Sequence, residues 1–180
     1  MGDKTLLEDR KTVFSGKIVT METAKTKLPN GHTMELEVVR HPGGSAVVAV
    51  NHLRQVCLLK QYRCVFDDWL WELPAGKNDH NEPPIETAQR ELEEEAGVQA
   101  GQWQELGYMI SSPGVFTEKV HLYLARGLNI GARNSEDHEV FDIHWIGFEQ
   151  ALNWARQGEI SDAKSIIGLY RAADIIQDKG

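Results

Sequence analysis

The segment from Pro83 to Gly97 constrains the fold more than any other part of the chain. Ile85, Ala88, Leu92 and Ala96 recur at i, i+3, i+7 and i+11, the spacing of one buried helical face. Pro84 suits a first helical turn, and Gly97 suits the left-handed residue that ends a helix. Apolar runs of strand length flank this helix, at residues 46–50 and 55–61 before it and 120–125 and 141–146 after it. Helical patterns near residues 148–157 and 161–176 close the chain. Strands on both sides of an amphipathic helix, with helices at the end, predict a layered α+β domain.

Ahead of that domain, residues 12–20 and 33–39 read as extended, with Pro29-Asn30-Gly31 as turn chemistry between them. His41-Pro42-Gly43-Gly44 then breaks the chain. Residues 1–42 are therefore expected to form a small N-terminal antiparallel β unit, a two-stranded hairpin, and residues 43–180 the main domain.

Composition narrows the function. The formal net charge is −8 and no Lys/Arg cluster stands out, which argues against a nucleic-acid partner held through its phosphates. Acidity does not exclude a small anionic substrate, because a cation can reconcile carboxylates with phosphates. The two cysteines, Cys57 and Cys64, match no zinc or disulfide pattern. The charged first ten residues contain no apolar signal segment, and no apolar run approaches the roughly 18 residues of a membrane span. A soluble, cytoplasmic protein, with neither membrane nor nucleic acid as a partner, is the expectation.

At about 100° per residue, Glu91, Glu94 and Glu95 share one sector of the helix beside its apolar stripe, while Glu86 and Glu93 point elsewhere. Like charges at i, i+3 and i+4 destabilise a helix, so the cluster makes sense if a cation relieves the repulsion. Oxygen-only ligands suit Mg²⁺, with Mn²⁺ as a substitute, better than zinc. A solvated acidic face is the alternative for carboxylates taken alone.

The longer string decides between them. Gly76, Glu82, Arg90, Glu91, Leu92, Glu94, Glu95, Gly97 and Val98 fill every fixed position of G-x5-E-x7-R-E-U-x-E-E-x-G-U, with U aliphatic. This resembles the signature of the Nudix hydrolases. Gln61-Tyr62-Arg63, Trp71-Glu72-Leu73-Pro74-Ala75-Gly76, Ser112-Pro113-Gly114 and Asp162-Ala163-Lys164 are similar to runs in its ADP-ribose pyrophosphatases. So is the placement of Pro113 sixteen positions after Gly97. The resemblance implies an α/β/α sandwich with a mixed sheet and Mg²⁺-dependent hydrolysis of a nucleoside diphosphate sugar.

Carried over residue by residue, it assigns Glu91 and Glu95 as metal ligands with Glu94 close by, and Ala75 as a backbone carbonyl ligand. Arg90 would orient the carboxylates. Glu139 would act as metal ligand or catalytic base, with Glu136 and Asp137 as substitutes in the same acidic loop. Arg63 would bind the diphosphate through its planar fork, Glu118 a ribose hydroxyl, and Gly114 would lie in the substrate loop. Trp69 and Trp71 are assigned to packing, and the histidines to no role. Leu36 departs from the pattern, since many relatives carry Arg before the Glu-Val-Val here spanning Glu37 to Val39.

The leading expectation is ADP-ribose hydrolysis to AMP and ribose 5-phosphate. The rivals are another nucleotide sugar such as GDP-mannose, a non-catalytic nucleotide-binding Nudix module, and mRNA cap hydrolysis, which lacks a basic surface. The resemblance also implies a homodimer in which the N-terminal unit helps build the partner's substrate site.

Overall fold

Two strands of nearly unbroken burial organise the main domain. Residues Gly44–Ala49 form β4 and Gln55–Arg63 form β5. A period of two sends Ala46 and Val48 to one face of β4, and Val47 and Ala49 to the other. The first pair packs with Leu58, Leu122 and Leu124, the second with Cys57, Tyr123 and Ala125. Both faces are covered, so these strands read as continuous apolar runs rather than alternating ones.

The computed structural model describes residues 7–78, 82–131 and 140–177. The remaining described strands are β1 (Leu7–Ser15), β2 (Thr20–Lys27), β3 (Thr33–Arg40), β6 (Asp68–Glu72), β7 (Ala75–Lys77), β8 (Val98–Ile110), β9 (Lys119–Ile130) and β10 (Phe141–Gly147). The helices are α1 (Pro84–Ala96), α2 (Phe148–Gln157) and α3 (Ala163–Gln177). The chain divides into two compact units, one running to Gly43 and including Ile110–Lys119, the other holding Gly44–Met109 and the residues from Val120 onward.

The larger unit carries two sheets, ordered β10-β5-β6 and β7-β4-β9-β8. The second is mixed, because β4 runs parallel to β9 and antiparallel to β7. Ala88, Leu92 and Ala96 of α1 cover one face. Phe148, Leu152, Leu169 and Ala172 of α2 and α3 cover the other. The result is the expected α/β/α sandwich. No described helix is long and apolar enough to cross a membrane.

The smaller unit is a three-stranded antiparallel sheet, β1-β2-β3, not the two-stranded hairpin expected. The run read as one strand at 12–20 is interrupted where the Gly16 amide donates to the Val19 carbonyl at 2.9 Å. Beyond it, β2 carries threonines and charges with little apolar alternation, which hid it. The turn at Pro29-Asn30-Gly31 is present, with Gly31 at φ 87° and its amide donating to the Leu28 carbonyl at 2.8 Å. Lys25 faces Glu35 across the β2–β3 pair at 3.7 Å, and Arg40 donates to Glu22 at 3.0 Å.

Candidate active site

The site is assembled where β7 meets α1. Pairing of Ser45 with Gly76 and of Ala46 with Ala75 holds β7 against β4. Ser45, itself fully buried, donates its hydroxyl to the Pro84 carbonyl at 2.8 Å and lies equally close to the Asn78 amide oxygen. One serine thus ties the loop after β7 to the start of α1. At the other end, Gly97 adopts φ 65° and its amide closes the helix on the Glu93 carbonyl at 2.9 Å.

Within that frame the carboxylates are held one by one. Glu95 is 3% exposed and accepts a hydrogen bond from the Ala75 amide at 2.8 Å. Glu91 and Glu94 both accept from Arg90, at 2.8 and 2.9 Å. Glu82 lies 3.5 Å from the same guanidinium and accepts from Thr87 at 2.7 Å. Partial burial opposes the charge on Arg90, but Glu91, Glu94 and Glu82 outweigh it and hold its pKa above the usual range. The glycine at position 76 has a specific cause. A β-carbon there would fall 1.9 Å from a Glu91 carboxylate oxygen, so any other residue would push that carboxylate aside.

Behind the helix, Cys57 is buried, and burial first, then the charge of Glu95, pushes its thiol up to about 12. It is an inert packing residue, as a buried free thiol should be.

A second cluster sits at the ends of β5 and β6. Arg63 donates from Nε and one Nη to Glu72, at 2.6 and 2.7 Å. Lys164 also contacts Glu72, and lies 3.0 Å from Asp162. Asp162 accepts from the Ser165 amide at 3.0 Å, and the Ser165 hydroxyl accepts from the Leu73 amide at 2.8 Å. Sequence reasoning gave Arg63 a role but left Glu72 and Lys164 without one. The available signal was a charge inside the apolar run from Trp69 to Leu73.

Burial alone would raise the pKa of Glu72, but Arg63 and Lys164 overcome it and bring the carboxyl down to about 2 from its ordinary 4.5. A lowered carboxylate stabilises the fold above its unfolded pKa, and that contribution is lost as pH falls from about 4.5 toward 2. Its size is about 3 kcal/mol, at 1.36 kcal/mol per unit. Denaturant melts of wild type and Glu72→Gln at pH 6, 4 and 3 should show the gap between them closing with acid. A gap independent of pH would refute this.

In the smaller unit, the segment before β9 is fastened to β3. The Val39 amide donates to the Val115 carbonyl at 2.8 Å, and the Thr117 amide to the Val39 carbonyl at 3.0 Å. This holds Glu118 3.4 Å from His41, a histidine to which spacing assigned no role. Gly114 and Leu36 line one cleft of about 620 Å³ in this unit, with Thr23, Lys25 and Val115. Trp71 packs between His144 and Trp154, at centroid distances of 4.9 and 5.1 Å. Trp69 is 40% exposed and leans on Tyr62. Glu136, Asp137 and Glu139 lie outside the described residues. Among the described residues, no three acidic, histidine or cysteine side chains converge on one cation position as they stand. Arg90 draws Glu91 and Glu94 to itself.

Comparison with known proteins identifies relatives of this arrangement. A NUDIX domain model matches residues 39–167. The chain is 36% identical over 169 residues to a methanol dehydrogenase activator of Bacillus methanolicus, across 93% of this chain and 90% of that one. It is 34% identical over 165 residues to an ADP-ribose pyrophosphatase of Bacillus subtilis strain 168, across 91% and 88%. A crystal structure described as an ADP compounds hydrolase matches with a TM-score of 0.82 over 97% of this chain and 95% of that one. Its 20% identity makes this a likeness of fold.

Proposed function

The chain belongs to the NUDIX domain family, and from that premise we propose that it hydrolyses the diphosphate bridge of ADP-ribose to AMP and ribose 5-phosphate with bound Mg²⁺. The observation that carries the proposal is how α1 holds its carboxylates: Glu91 lies against the Gly76 backbone and pairs with Arg90, Glu94 pairs with the same guanidinium, and Glu95 accepts from the Ala75 amide. These are hard oxygen donors, which suit Mg²⁺ or Mn²⁺. Gly76 leaves room at Glu91 that a side chain would fill.

When bound, the cation supplies charge neutralisation on the reacting phosphoryl group and a water of lowered pKa. The chain's own residues do the rest. Glu91, Glu94, Glu95 and the Ala75 carbonyl hold the cation, and Arg90 orients the carboxylates through the ion pairs it already makes. Arg63 binds the diphosphate oxygens, Glu118 a ribose hydroxyl, and the backbone at Gly114 borders the substrate. Glu139 takes the proton from the attacking water. Initial rates with Mg²⁺ across ADP-ribose, GDP-mannose and other nucleotide sugars, with products identified, test this. ADP-ribose should give the highest kcat/KM. A preference for GDP-mannose would replace the substrate and keep the chemistry, since specificity lies in loops that the signature does not encode.

The assembly belongs to the same proposal: a cytoplasmic homodimer in which about residues 1–42 help build the partner's substrate site. β1 is an edge strand, and Val13 and Phe14 on it are 58% and 56% exposed. Such an edge is usually covered or paired. Removing residues 1–42 should yield a monomer by light scattering, with substrate affinity lost. A truncated protein that stays dimeric with unchanged KM would overturn the exchange.

A further inference from the structure

The buried cluster around Glu72 uses more charge than a binding arginine needs. We infer that Lys164, held by Asp162, is a positioning residue that fixes the guanidinium of Arg63 through their shared partner Glu72. The inference rests on the proposed contact between Arg63 and the substrate's diphosphate.

The geometry is a chain of contacts with a definite direction. Arg63 stands at the end of β5 with its side chain 40% exposed, whereas Glu72 is 4% exposed. The two parallel hydrogen bonds, at 2.6 and 2.7 Å, use the Nε edge of the guanidinium. Arginine has five N–H donors, so three remain on the outer edge. A long side chain held this way has surrendered its rotamer freedom before a ligand arrives, which is how preorganisation raises affinity.

Glu72 has to stay in place for this to work, and Lys164 secures it. The Lys164 ammonium meets the same carboxylate oxygen that Arg63 Nη reaches. It is fixed in turn by Asp162 at 3.0 Å. Asp162 caps the first turn of α3 through Ser165, whose hydroxyl and amide lie 2.5 and 3.0 Å away. Ser165 also receives the Leu73 amide, so the residue that follows Glu72, just past the end of β6, is clamped to the same helical turn.

Charge explains why one cation would not suffice. A diphosphate reaching the outer edge of Arg63 shares the guanidinium's charge with Glu72. Lys164 keeps the buried carboxylate compensated in that state, so Glu72 does not have to draw Arg63 inward. Two cations and two carboxylates are a costly way to anchor a helix, since apolar residues could do so at least as well. The arrangement makes sense as orientation of Arg63.

The test is calorimetric titration of the full-length protein with a methylene-bridged ADP-ribose analogue, beside steady-state kinetics and thermal melts. Lys164→Met should weaken Kd roughly tenfold, on the scale of one charged hydrogen-bonding group, with kcat changed far less. In an Arg63→Ala background the same substitution should add less than about twofold, because the two residues act in series. Should Lys164→Met fail to fold, Lys164→Met with Glu72→Gln removes both charges together and should show the same weakened Kd. Equal weakening by Lys164→Met with and without Arg63 would overturn the inference, as would normal Kd in a folded Lys164 variant when Arg63→Ala weakens binding. If Arg63→Ala itself leaves Kd unchanged, the Arg63 contact is what fails, and the positioning role with it.

Discussion

Glu95→Gln should leave the protein folded and lower kcat roughly 10²–10⁴-fold, the scale of losing one electrostatic or acid–base group. Glutamine retains an oxygen that can accept from the Ala75 amide, so the tie between β7 and α1, now 2.8 Å long, can persist. What disappears is a negative charge on a residue only 3% exposed, at the place assigned to the cation. Glu93 supplies the comparison. It lies on the other flank of α1, exposed, and its carboxylate accepts from Gln99 at 2.8 Å. Glu93→Gln should leave kcat within a few-fold of wild type. Melting curves for both variants separate lost folding from lost chemistry. Equal losses in kcat would mean that the helical sector carries no catalytic information.

The helix that carries much of the candidate site was legible because α1 is specified by local chemistry. Its apolar stripe, Pro84 at the start and Gly97 at the end act within the helix itself, so periodicity found it almost to the residue. The sector of Glu91, Glu94 and Glu95 followed from helical geometry alone. The buried strands at the centre were equally clear, because unbroken apolar runs such as residues 46–50 tolerate few other readings.

Elements stabilised from a distance were harder to see. β8 is thirteen residues long, yet its composition alternates weakly and includes Gly101 and Gly107, so its pairing beside β9 is what defines it. β7 has only three residues and exists through its register with β4. The same holds for the polar clusters. Lys164 stands 92 positions from Glu72, and nothing in either residue's neighbourhood announces the other. Ser45 reads as an ordinary small residue at a strand start, although it fastens the loop that carries Asn78. Helical periodicity could mark a set of carboxylates, while the partners that fix each one come from elsewhere in the fold.

The proposed hydrolysis depends on a divalent cation at the α1 carboxylates. Arg90 is one positive charge among Glu82, Glu91 and Glu94, and it cannot also neutralise a diphosphate brought against them. Without another cation, substrate and helix repel each other, and water near neutral pH is a poor nucleophile. ADP-ribose turnover measured before EDTA treatment, after it, and after Mg²⁺ is restored puts this to the test. Turnover should fall to background with EDTA and recover on adding Mg²⁺, with Mn²⁺ able to substitute. Turnover undiminished after exhaustive chelation would contradict it.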